Sequence, residues 1–188
     1  MQILRRDGYR LVPWRNGKGE TAEIIAHPPG AEAFGWRISM APVVADGAFS
    51  TFPGIDRVLT VIEGAGMTLA VDGAASVMLD ATPYAFPGDA ACHATLHAGP
   101  ITDLNVMTRR GQWRAEVRHA ETPALLPGAA HHLVFAAHGP LAGRVGDAPF
   151  ALGPRDTLLL TPAESATLAL SGRWLDIQIA PLTQGDAR

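Results

Sequence analysis

DGAFSTFPGIDRVLTVIEGAGM, residues 46–67, is half turn and half strand. DGAFSTFPGID is dense in Gly, Pro, Asp and Ser, the residues that set turns through positive φ, a fixed φ or side-chain-to-backbone bonds. RVLTVIEG then runs through Val58, Leu59, Thr60, Val61 and Ile62, which are β-branched or large and nearly all apolar. Such a run suits a strand with little solvent on either face. Arg57 sits where the two halves meet. A guanidinium at the mouth of a buried strand needs a partner, because an unpaired buried charge is costly. That partner is either a carboxylate of the protein or an anion brought from outside.

The same texture continues in both directions. Upstream, QILRRDGYRLVPW gives a short strand, a turn and a second extended piece, and Glu20–Ala26 resumes a strand. Between them Asn16-Gly17-Lys18-Gly19 reads either as a tight hairpin loop or as a loop closing over a pocket mouth. Trp36–Pro42 alternates, with Trp36, Ile38 and Met40 on one face and Arg37, Ser39 and Ala41 on the other. Downstream, Met67–Val71 and Ser76–Leu79 flank an Asp72-Gly73 hairpin turn, and PYAFPGD (83–89) reads as a further turn. In TDLNVMT (102–108), Asp103, Asn105 and Met107 share a face. Further strands are expected at Trp113–His119, His132–Ala137, Thr167–Leu170 and Trp174–Ile179, with an apolar run at Thr157–Leu160, and PGD and GPRD ahead of strands hint at a duplicated β unit. Ala120–Leu126 has room for one helical turn. With 20 Gly and 15 Pro scattered through 188 residues, the chain is expected to be all-β, a sandwich or barrel.

Composition narrows the function. A net charge of −3 argues against general nucleic-acid binding. Arg109, Arg110, Arg114 and Arg118 are interrupted by Glu116 and Glu121 and read as a solvated face. No apolar run reaches the roughly 20 residues of a membrane span, and the N-terminus carries no apolar signal core. The one cysteine, Cys92, cannot bridge internally, which fits a reducing compartment.

Catalytic and metal chemistry find little support in local spacing. Cys92 and His93 are strand neighbours and point to opposite faces. Of the seven histidines, His93 and His97 share a strand face but lie roughly 13 Å apart along it, and His131 and His132 diverge. What remains is Asn16, Thr21, Arg37, Ser39, Ser50, Arg57, Asp103 and Asn105, polar residues on strands or tight turns. They form either a structural polar network with solvated sheet faces or the lining of a barrel pocket. An arginine with Ser, Thr and Asn donors is suited to a carboxylate ligand. Asp103 is the one evident general base.

WRNGKGET, FGWRISMAPV, DGAFSTFPGIDRVLTVIEGAGM and GPITDLNVMTRRG together resemble, in order and spacing, the signature blocks of the HutD/Ves family, over roughly the first 115 residues. The resemblance implies a bicupin, two small β-barrels in one chain, expected over residues 1–112 and 113–188 with strands exchanged between them. It implies a link to bacterial histidine utilisation and a regulatory role, sensing N-formylglutamate or urocanate rather than catalysing a step. It places a ligand pocket on Asn16, Gly17, Thr21, Trp36, Arg37, Ser39, Ser50, Phe52, Arg57, Asp103, Asn105 and Met107. Lys18 stands where the family often has glycine. A metal-binding cupin would carry a His-x-His and glutamate set on the strand near Arg57, and here only Glu63 is of ligand type.

The expectation is therefore a cytoplasmic protein without metal or cofactor and with no catalytic residues. It would bind a small carboxylate at Arg57 in its first barrel. Ser39, Asn16, Thr21 and Asn105 would orient the ligand, and Trp36 and Phe52 would wall the pocket. Neither nucleic acid nor membrane is a direct partner, and a homodimer follows by analogy only. The alternative is a metal-independent isomerase or hydrolase using Asp103 or His93. In a third reading Arg57 pairs with Asp103 or Asp56 and no pocket exists.

Overall fold

The computed structural model describes residues 1–14, 19–30, 33–73 and 76–183. It is built almost wholly of strands, as the turn punctuation implies. In chain order they are β1 (Gln2–Leu4), β2 (Arg10–Pro13), β3 (Glu20–His27), β4 (Trp36–Val43), β5 (Gly47–Ala48) and β6 (Ile55–Glu63). Next come β7 (Met67–Val71), β8 (Val77–Leu79), β9 (Tyr84–Pro87), β10 (Cys92–Leu96), β11 (Ile101–Arg109) and β12 (Trp113–Ala120). The last are β13 (His131–Phe135), β14 (Leu141–Val145), β15 (Ala148–Leu152), β16 (Thr157–Leu160), β17 (Leu168–Leu170) and β18 (Trp174–Pro181). Among the described residues there is one short α-helix, α1 (Pro162–Ser165), whose N-terminus carries a capping box between Thr161 and Glu164. Residues 121–126 do not form a helical turn.

The chain divides into two compact units: Arg10–Arg110, and Met1–Tyr9 together with Gly111–Arg188. The first nine residues, expected in the first barrel, thus belong to the second unit. There β1 pairs antiparallel with β16, and the Tyr9 hydroxyl lies 2.8 Å from Thr157 Oγ1.

The first unit has a six-stranded sheet, β2-β3-β4-β11-β6-β9, and a four-stranded sheet, β5-β10-β7-β8. Leu59 and Val61 from the larger sheet share one buried cluster with Met67, Leu69, Leu79, Ala94 and Ile101. Each large apolar side chain removed from water in this way contributes about 1.5–3 kcal/mol. The expected apolar strand is β6, and both its faces carry buried residues: Leu59 and Val61 on one, Thr60 on the other.

One reading fails. PYAFPGD is not simply a turn: Tyr84–Pro87 forms β9, which runs antiparallel along β6. As the edge strand of its sheet it tolerates Pro87, because an outward-facing position need not donate to a ladder.

The second unit repeats the arrangement with a five-stranded sheet, β1-β16-β13-β18-β12, and a three-stranded sheet, β15-β14-β17. Val134, Leu158, Leu160 and Trp174 pack with Leu141, Val145, Phe150 and Leu168 in its core. Among the described residues no helix is long and apolar enough to cross a membrane.

Candidate functional site

Strand register assembles the site. Across the larger sheet of the first unit, Arg37 on β4 is opposite Met107 on β11, Met107 is opposite Arg57 on β6, and Arg57 is opposite Phe86 on β9. One row along, Glu23 is opposite Ser39, Ser39 opposite Asn105 and Asn105 opposite Leu59. The next row joins Ala41, Asp103 and Val61. Because side chains alternate, all of these share one face, the face whose Leu59 and Val61 enter the core.

Arg57 is the centre of this face and is only 5% exposed. Its Nη2 donates to Asn105 Oδ1 at 2.6 Å, and Nη1 makes a long contact of 3.4 Å to the Ser50 carbonyl. Its buried Nε has no hydrogen-bond partner among the described residues. Three rings surround the guanidinium, with Phe86 4.9 Å, Phe52 5.4 Å and Phe49 5.5 Å from its carbon to their centroids. Burial pushes the Arg57 pKa down, and the charge of Asp103 partly opposes this. Asp103 reaches Arg57 only through Asn105, whose Nδ2 donates to Asp103 Oδ1 at 2.7 Å. Asp56 bonds instead to Arg110 at 2.8 Å. Arg57 therefore makes no direct ion pair with either carboxylate that could have claimed it.

Arg37 is a second cation in a similar state. Its Nη2 contacts the Met107 thioether at 3.3 Å, a weak acceptor, and its buried Nε has no partner among the described residues. Its guanidinium lies 5.0 Å from the Phe34 ring and 5.6 Å from the Phe52 ring. Phe52 thus touches both cations, and their central carbons lie within about 11 Å of each other.

Asp103 is the titratable group behind them. Burial lifts its carboxyl to about 6, with Arg57, Asn105 and the Ala41 backbone pulling the other way. An acid raised above its unfolded value binds its proton more tightly when folded. Its ionisation therefore lowers stability as pH rises through the window from about 4 to about 6. Asp103→Asn is expected to remove that slope and to raise stability at pH 7.5 by about 3 kcal/mol. Urea titrations of both proteins at pH 4.5 and 7.5 measure it, and parallel pH profiles would mean that folding does not raise the Asp103 pKa.

The other expected site residues fall unevenly. Ser39 is buried beside Asn105 on the Arg57 face. Thr21 lies further along β3, where its Oγ1 accepts from Trp14 Nε1 at 2.9 Å. Ser50 offers its carbonyl, and the residue itself is exposed. Trp36 is not brought to Arg57. It lies on the opposite face of β4, stacked on His27 with centroids 5.5 Å apart. Asn16 and Gly17 lie outside the described residues, as does Lys18.

Sequence reasoning missed Phe34, Phe49 and Phe86, which enclose the cations, and Glu23, which sits beside Ser39 and pairs with Arg10 at 2.8 Å. It also missed Gly88. A Cβ there would sit 2.7 Å from the Ile55 carbonyl oxygen and 3.3 Å from Arg57 Cδ. Gly88→Ala is expected to cost about 1–3 kcal/mol and to displace Arg57. A thermal midpoint unchanged from the parent would show that the loop yields freely.

The second unit holds a different polar cluster. His132 Nδ1 lies 2.9 Å from Ser165 Oγ and Nε2 lies 2.6 Å from Asp176 Oδ1. The three residue types are those of a hydrolytic triad, but Ser165 is 6% exposed, the other two are 1%, and the serine hydroxyl donates to the Thr161 carbonyl. This cluster is a satisfied interior network.

Comparison with known proteins identifies the family. The HutD family model matches residues 6–175. The chain belongs to the HutD family. It is 40% identical over 136 residues to Protein Ves of Citrobacter koseri, covering 71% of this chain and 70% of that protein. It is 39% identical over 140 residues to an uncharacterized 21.2 kDa protein in the hutC 3' region of Pseudomonas putida, covering 73% and 74%. The solved structure of HutD from Pseudomonas fluorescens SBW25 superposes with a TM-score of 0.82 at 33% identity, covering 97% of this chain and 99% of that one. A cupin 2 conserved barrel protein from Leptotrichia buccalis, 10% identical, superposes with a TM-score of 0.52 over 91% and 92% of the two chains, which shows the fold to be cupin-like.

Proposed function

We propose that this HutD-family protein binds a small carboxylate intermediate of histidine degradation at Arg57 and thereby modulates histidine utilisation. The observation that carries the reading is the state of Arg57: a buried guanidinium, ringed by three phenylalanines, with an unpartnered Nε and no direct carboxylate among the described residues. Desolvating a cation without a counter-charge is costly, and an anion that enters recovers that cost as binding energy. The Pseudomonas fluorescens HutD structure is of a formate condition, and formate is the smallest carboxylate.

Of the two metabolites the resemblance implies, N-formylglutamate fits better. It carries two carboxylates, and the site offers two cations that share Phe52. Urocanate carries one carboxylate. The single Cys92 is a free, buried thiol, in keeping with a cytoplasmic protein.

Calorimetric titration of the purified protein with N-formylglutamate, urocanate and formate tests the proposal. Saturable binding is expected for all three, tightest for N-formylglutamate. Absence of binding by any of them would overturn it. The same titrations followed by proton NMR address the alternative of a metal-independent enzyme, for which Asp103 is the available acid–base group. Appearance of a product would favour the enzyme.

Affinity should also depend on pH. Asp103 loses its negative charge as pH falls through about 6, leaving the cations less compensated. Carboxylate binding is expected to tighten severalfold from pH 7.5 to 5.5, and Asp103→Asn to abolish the change. A pH dependence that survives in the variant would assign it to another group.

A further inference from the structure

We propose that His119 and His138 form a surface site for a divalent transition-metal ion of the zinc class, bound through His119 Nδ1 and His138 Nε2. His119 lies near the end of β12, an edge strand of the five-stranded sheet, and His138 lies in the loop between β13 and β14. Their facing nitrogens are 3.3 Å apart and their ring centroids 5.2 Å apart.

Those two distances match the spacing of two imidazoles on one metal ion. With metal–nitrogen bonds of about 2.0–2.1 Å at a tetrahedral angle, two imidazole nitrogens stand about 3.3 Å apart and their centroids about 5.2 Å apart. A straight imidazole–imidazole hydrogen bond at the same nitrogen separation would place the centroids about 5.6 Å apart, so the contact between these two nitrogens is a bent one. A metal ion seated between them would displace the proton they share.

Among the described residues no group of three metal-ligating side chains exists, so the protein supplies two ligands here. The remaining coordination positions fall to water or to an anion. An anion is favoured by Arg173, which lines a cleft of about 370 Å³ with His138 and Ser171. This site is independent of the reading of Arg57.

The test is a zinc titration of tag-free protein by calorimetry, paralleled by NMR of the imidazole nitrogens. One zinc ion is expected to shift His119 Nδ1 and His138 Nε2. Either His119→Ala or His138→Ala should weaken binding by roughly tenfold or more. His138 is exposed, so its variant is expected to keep the fold. His93→Ala, at another exposed histidine, should leave binding unchanged. Zinc affinity equal to wild type in His138→Ala, or imidazole shifts confined to other histidines, would overturn the proposal.

Discussion

Asp176→Ala is expected to destabilise the protein by roughly 3–5 kcal/mol, the cost of removing one partner from a buried charged network. Asp176 is 1% exposed on β18, the strand between β13 and β12. Its Oδ1 accepts from His132 Nε2 at 2.6 Å and Trp174 Nε1 at 3.3 Å. Its Oδ2 accepts from Gln178 Nε2 at 2.8 Å and Arg118 Nη2 at 2.9 Å. Alanine would take an acceptor from four donors; Gln178 and Arg118 keep the Ala124 carbonyl, while His132 Nε2 and Trp174 Nε1 lose the acceptor they share, and each buried donor left unsatisfied costs about 1–3 kcal/mol before relaxation. The damage would also spread along the chain, because Gln178 tethers the segment after β12 through the Ala124 carbonyl and the Leu126 amide.

Burial alone would raise the Asp176 carboxyl. Hydrogen bonds from His132, Gln178 and Trp174 and the attraction of His132 overcome it and lower the pKa. A depressed carboxylate contributes stability above its unfolded pKa, about 3.9, and loses it as pH falls through the folded value. Wild-type protein should therefore weaken below about pH 4, with Asp176 as one source of the loss. Urea unfolding followed by tryptophan fluorescence reads both effects. A change under about 1 kcal/mol in Asp176→Ala would mean that water replaces the carboxylate at little cost. Gln178→Ala, which removes one donor and the loop tether, gives a milder comparison if the alanine variant at 176 does not fold.

The contrast between this network and the Arg57 site shows what the sequence could and could not disclose. Alternation within one strand is local, so the shared face of Asp103, Asn105 and Met107 was legible, as was the opposition of Arg37 and Ser39 to Trp36. The same alternation forbids Trp36 from walling the Arg57 face. Register between strands is not local. Nothing in TDLNVMT says that Met107 will lie between Arg37 and Arg57, or that Asn105 will stand between Arg57 and Asp103.

The aromatic enclosure was hidden for a different reason. Phe49 sits in a turn-rich segment and Phe86 in PYAFPGD, where the prolines mask an edge strand. His132 and Asp176 are 44 residues apart and His119 and His138 are 19 apart, so strand-by-strand spacing could pair neither. The capping box at Thr161–Glu164 was a local signal and could have been read directly.

Arg57→Met is the second large effect, and its sign on stability separates a ligand anchor from a structural arginine. Methionine keeps an unbranched apolar stem among Phe49, Phe52 and Phe86 and removes the charge. The guanidinium loses one strong bond, from Nη2 to Asn105 at 2.6 Å, and one long one to Ser50. Against this stand relief of a buried cation that has no direct counter-ion among the described residues and of an Nε unpartnered among them. Replacement of buried charges by apolar residues of similar volume is often neutral or stabilising by about 1–4 kcal/mol. Asp103 would lose a favourable charge, and its carboxyl, already raised to about 6, would be expected to rise further and take up a proton. The variant should therefore be about as stable as the parent below pH 6, with any deficit growing above it. Carboxylate affinity should nevertheless fall by roughly ten- to a hundredfold, the value of a lost charge-assisted contact of about 1.5–3 kcal/mol. Titration with N-formylglutamate and urea unfolding, both at pH 5.5 and 7.5, separate the two readings. Unchanged affinity with a loss of several kcal/mol in stability would make Arg57 a structural residue. Lost affinity with stability retained at the lower pH would make it a site held ready for an anion, at a cost the free protein carries until the ligand arrives.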